Sequence, residues 1–112
     1  MDNTNEINGV IKSLSTAKIV TFKQFVDYLN KLINEENKRI FKCTSDTGSY
    51  VNGYIYDFEL SKDMCKLKVR ALGNQEYYIT YVPSIFECIT QRQEGIFTLF
   101  FENSTQIVSI KE

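Results

Sequence analysis

The sequence predicts an α+β fold, an N-terminal helix or helix pair followed by a five- to seven-stranded antiparallel meander, whose curled form would be a small-barrel-like sheet. Three observations predict it. An apolar stripe at helical spacing fills residues 22–33, the apolar period changes from 3.6 to 2 near Arg39, and turn residues then interrupt the chain at short intervals.

The helix at 22–33 carries the clearest signal. Thr21 and Gln24 stand at the T-x-x-Q spacing of a capping box, in which each satisfies a backbone N–H of the other. Phe22, Phe25, Val26, Leu29, Leu32 and Ile33 form one apolar stripe, while Lys23, Asp27, Asn30, Lys31 and Asn34 face away from it. An earlier helix is predicted from Asn3 and Glu6, with Ile7, Val10, Ile11 and Leu14 on one face. Gly9 weakens it, and Ser13, Ser15 and Thr16 end it early.

Past Arg39, β-branched and aromatic residues take over. Asp46-Thr47-Gly48 makes a turn, and a long strand from Tyr50 to Leu60 follows. Strict alternation puts Tyr54, Tyr56, Phe58 and Leu60 on a core face and Ile55, Asp57 and Glu59 on the other. A connection through Lys62-Asp63 to the strand Met64–Ala71 opposes Leu60 to Cys65, Phe58 to Leu67 and Tyr56 to Val69. The same register sets Glu59 against Lys66 and Asp57 against Lys68. A loop at Gly73-Asn74-Gln75 then pairs Val69 with Ile79 and Leu67 with Tyr81, and Pro83 ends that strand. Ser84 to Arg92 fits either a strand or a helical turn. Gly95 opens the strand Ile96–Phe101, and Asn103-Ser104 turns it into Thr105–Ile110. A capped helix leading into short twisted strands, with Val51, Gly53 and Ile55 before a charged hairpin, resembles the SH3-like and Sm-like small barrels in architecture. The likeness is too generic to name a family.

One domain spanning 1–112 is expected, helical over 1–37 and β over 38–112, because a chain of 112 residues builds a single core. With 8 Phe and 7 Tyr that core is aromatic-rich. A net charge of -1 supplies no general field for nucleic acid or an anionic membrane. No apolar run approaches the roughly 20 residues of a membrane span and no export signal is evident, so the chain is expected to be soluble and cytoplasmic. Cys43, Cys65 and Cys88 are odd in number and widely spaced, which suits reduced thiols better than a disulfide framework or a zinc knuckle. A surplus of Lys over Arg, with many Asn and Ile, is the usage of AT-rich bacterial or phage genomes.

The chain contains no histidine, which removes His-based triads, Cys–His pairs and His zinc motifs, and it has no phosphate-binding glycine loop or EF-hand loop. No catalytic residue, metal or cofactor is therefore expected. Asp57 and Glu59 form the one carboxylate pair on a strand face, but opposite Lys66 and Lys68 they make a solvated charge ladder. Cys65 and Cys88 are expected as small buried hydrophobes.

Two surfaces remain. The run Ile96–Phe101 is apolar on both faces, so it is either a central strand covered on both sides or an interface for a second subunit or another protein, built from Ile96, Phe97, Phe100 and Phe101. Lys66, Lys68 and Arg70, with Tyr77, Tyr78 and Tyr81 on the neighbouring strand, could instead form a basic, aromatic platform for single-stranded nucleic acid. The expected function is a non-enzymatic protein-binding module, an accessory, regulatory or inhibitor protein able to self-associate. Nucleic-acid binding by a small β-barrel is the alternative.

Overall fold

The structure, a computed structural model, describes residues 17–111. The helix predicted over 3–14 lies outside them. Along the described chain run β1 (Lys18–Val20), α1 (Phe22–Asn34), β2 (Ile40–Ser45), β3 (Tyr50–Ser61), β4 (Met64–Ala71), β5 (Glu76–Tyr81), β6 (Phe86–Gln93), β7 (Ile96–Phe101) and β8 (Thr105–Lys111). Single 3₁₀ turns at Leu72–Asn74 and Pro83–Ile85 flank β5. The fold is α+β as expected. Its strands number eight among the described residues, because Lys18–Val20, inside the part read as helical, pairs with β6.

The start of α1 is set by the predicted capping box. Thr21 Oγ1 accepts the Gln24 backbone N–H at 3.0 Å, and Gln24 Oε1 accepts that of Thr21 at 2.8 Å. The stripe is buried as its spacing requires: Phe25, Leu29 and Ile33 are fully enclosed, with Leu32 and Val26 nearly so. Burying each of these side chains contributes roughly 1.5–3 kcal/mol. They share one cluster with Phe41, Ile55, Leu67, Val69, Phe97, Leu99, Val108 and Ile110, so α1 lies on a single face of the sheet.

All eight strands are antiparallel, in the order β1-β6-β7-β8-β2-β3-β4-β5. The sheet is open, with β1 and β5 at its edges, so the small barrel is not closed. It is nevertheless strongly coiled. Tyr81, at the end of edge strand β5, stacks on Phe101 of β7 at 6.4 Å, meets Phe25 of α1 edge-on at 6.1 Å, and donates its hydroxyl to Gln106 Oε1 on β8 at 3.1 Å. The same Gln106 oxygen accepts the Cys43 thiol of β2 at 3.3 Å. Gly53 of β3 permits the close approach of β4: a Cβ there would stand 2.5 Å from the Arg70 carbonyl oxygen, closer than atoms pack.

The β3–β4 hairpin keeps four of its five predicted pairs. Leu60 opposes Cys65, Glu59 Lys66, Phe58 Leu67 and Asp57 Lys68, but Val69 faces Ile55 instead of Tyr56. A β-bulge at Tyr56 is the reason. The extra residue reverses the alternation, so Ile55 is fully buried while Tyr54 and Tyr56 join Asp57 and Glu59 on the outer face. The strict-alternation expectation, which put Tyr54 and Tyr56 in the core and Ile55 outside it, is thus corrected. In β4–β5 the loop is Leu72-Gly73-Asn74, and Val69 pairs with Tyr77 and Leu67 with Ile79. The expected register is displaced by two residues, which leaves every side chain on its predicted face. The 84–92 segment resolves into both of its readings: a 3₁₀ turn through Ile85, then strand β6.

Candidate functional site

Strand β7 lies centrally, between β6 and β8. Its inward residues Phe97 and Leu99 are fully buried, and Phe97 meets Phe25 edge-on with ring centroids 4.9 Å apart. Phe101 packs against the core beside Phe86, at 5.1 Å, and Tyr81. Phe97 therefore belongs to the interior, and Phe101 sits half-buried at its margin. Ile96 and Phe100 alternate with them and point to the opposite, outer face, each half-buried by its strand neighbours.

That outer face has more apolar members than the sequence indicated. Directly opposed residues share a face of a sheet, and one row runs Ile19, Thr90, Thr98, Ile107, Thr44, Tyr50 across six strands. Ile19 is 79% exposed, Ile107 50% and Tyr50 54%. Ile96 and Phe100 flank Thr98 of this row along β7. No described element covers this face, since α1 occupies the other. Ile107 was legible in principle, being out of phase with the buried Val108 and Ile110. Ile19 was not, because three residues establish no period.

The predicted basic platform is divided by the sheet. Lys66, Lys68 and Arg70 do line up on the outer face of β4, but Tyr77 pairs with buried Val69 and packs toward the core. The aromatic residues that share the basic face are Tyr54, Tyr56 and Tyr78. Arg70 lies 4.6 Å from the Tyr56 ring centre and Lys68 6.0 Å from that of Tyr78. Lys68 reaches Asp57 at 3.5 Å, and Arg70 binds Glu76 at 3.0 Å. Glu76 also accepts the Tyr78 hydroxyl at 3.0 Å. The Arg70 guanidinium, then the Tyr78 hydroxyl, hold Glu76 below the usual carboxylate range. The platform is a charge-matched ladder.

A groove of about 430 Å³ opens beside β5, with Cys43, Tyr78, Thr80, Tyr81, Phe101 and Gln106 among its lining. Burial raises the Cys43 thiol and pushes that of Cys65 up to about 12, which favours the neutral thiol over the thiolate at both. Cys88 sits half-buried on the outer face opposite Phe100. Among the described residues no group of three or more Cys, Asp or Glu side chains is gathered to hold a metal ion, and no helix is long and apolar enough to cross a membrane. Comparison with protein-family models, with curated proteins and with solved structures finds no match.

Proposed function

We propose that this chain is a non-enzymatic protein-binding module, an accessory, regulatory or inhibitor protein of a bacterium or phage, acting in the cytoplasm, where its three thiols stay reduced. One observation supports the reading above the others. The outer face of β1, β6, β7 and β8 presents Ile19, Ile96, Phe100 and Ile107 among threonines, with no charged residue in the central row. Apolar side chains grouped on a face that no described element covers, without charge in the central row, are the composition of a protein interface core.

Affinity capture from the host with the native chain and with Ile107→Lys tests it. A specific protein retained by the native chain and lost from the variant, with far-UV circular dichroism unchanged, is the expected result. Equal retention by both would remove this face from the binding site. Nucleic-acid binding through Lys66, Lys68 and Arg70 is the second reading, favoured by the position of Tyr56 and Tyr78 beside those bases. Gel shifts with single-stranded RNA and DNA at two salt concentrations decide it, and no shift at low salt eliminates it.

A further inference from the structure

Every open sheet has two edges, and here they differ. Edge strand β1 has three residues and carries Lys18. Short length and lysine are common protections against unwanted strand pairing. Edge strand β5 has six residues, Glu76-Tyr77-Tyr78-Ile79-Thr80-Tyr81, with no lysine, proline or bulge. Its single charge, Glu76, is already matched by Arg70.

The hydrogen-bond phase of β5 follows from its turn. Ala71 N–H donates to the Gln75 carbonyl at 2.8 Å, so 71 and 75 are a bonded pair. Bonded pairs alternate along an antiparallel ladder, which makes Val69–Tyr77, Leu67–Ile79 and Cys65–Tyr81 the bonded pairs of β4 and β5. The N–H and C=O of Glu76, Tyr78 and Thr80 therefore point away from β4. Among the described residues no strand lies beyond them and no turn or side chain bonds them.

We infer that β5 is a self-association edge, where a second copy of this chain adds its own β5 antiparallel across a two-fold axis at Tyr78. Three equally spaced free residues are symmetric about their middle one. Only the register placing Tyr78 opposite Tyr78 of the second copy, and Glu76 opposite its Thr80, uses all three N–H and all three C=O groups of each copy. The same register keeps the two Glu76 carboxylates apart. On the inner face it opposes Tyr77 to Ile79, two half-buried apolar residues. Any register one residue away would set inner side chains against outer ones. The pairing joins two sheets through β5, which is not one of the strands that carry Ile19, Ile96, Phe100 and Ile107, so a dimer presents both outer faces and can bind bivalently. The inference stands on a different surface from the protein-binding face and does not depend on it.

Light scattering across a concentration series reaching about 1 mM, the range of small interfaces, is the first test. The native chain is expected to approach twice its 13.0 kDa mass. Thr80→Pro, which removes an edge N–H without touching the β4 ladder, is expected to weaken dimerisation by roughly tenfold or more. Hydrogen exchange of the native chain supplies a readout that needs no variant: the amides of Glu76, Tyr78 and Thr80 should slow as concentration rises. A monomer throughout overturns the inference. So do those three amides exchanging fast in a dimer, which would place the contact on another face, or slowly at every concentration, which would mean that the chain covers its own edge.

Discussion

At Cys65 the fold favours one protonation state. The side chain is fully buried, opposite Leu60 on β3 and Tyr81 on β5, and desolvation pushes its thiol from 9.0 up to about 12. The folded protein holds the neutral thiol, so this contribution to stability is complete below pH 9 and is lost as pH rises toward 12. Tyr81, raised well above 10 chiefly by burial, acts in the same direction. Urea midpoints should fall between pH 9 and pH 11, each group adding up to about 1.4 kcal/mol per pH unit, and Cys65→Ala should flatten the onset of that fall. Stability that stays level to pH 11 would contradict the burial of these groups. Gly53 makes a steric prediction. Gly53→Ala forces a methyl against the Arg70 carbonyl and Val69, and should cost on the order of 1–3 kcal/mol in equilibrium unfolding. The sequence showed a glycine in a strand here but not the close approach, because β4 reaches Gly53 only after the chain has turned back.

At the scale of elements, legibility followed the range of the determining interactions. Helix α1 was readable in full, since its cap, stripe and polar face are local. Thr21→Ala should lower stability by about 1 kcal/mol, read from the thermal midpoint. The β3–β4 register was readable near its turn, where charge and apolar pairs agree, and failed beyond the Tyr56 bulge because alternation counting assumes that no residue is inserted. A pair of substitutions tests the bulge. Ile55→Ala should cost about 2–5 kcal/mol and Tyr56→Ala about 1 kcal/mol, the latter through its ring contact with Arg70; the reverse order would restore strict alternation. The two-residue displacement in β4–β5 could not be detected from faces, which it preserves. The backbone at Gly73 and Asn74, both at positive φ, selects the loop.

At the scale of the molecule, the coiling of the sheet is held at its open end by Gln106, which receives both Tyr81 and Cys43. Tyr81→Phe should cost about 1 kcal/mol while leaving the ring contacts in place, measured by denaturant unfolding. Closure into a barrel would require β5 to pair with β1, and no local pattern reports whether two strands so far apart in sequence meet. The same long-range geometry hid part of the candidate surface. The apolar excess of β7 was visible in sequence, but the division of Phe97 and Phe101 inward from Ile96 and Phe100 outward, and the row from Ile19 to Tyr50, required the registers of six strands. The central claim is that this outer face is the binding surface. Amide chemical-shift mapping of the isotope-labelled chain, titrated with the protein it captures, tests that claim most directly. The predicted result is a set of shifts centred on Ile19, Ile96, Thr98, Phe100 and Ile107. Shifts centred on the exposed face of α1, with the sheet undisturbed, would contradict it.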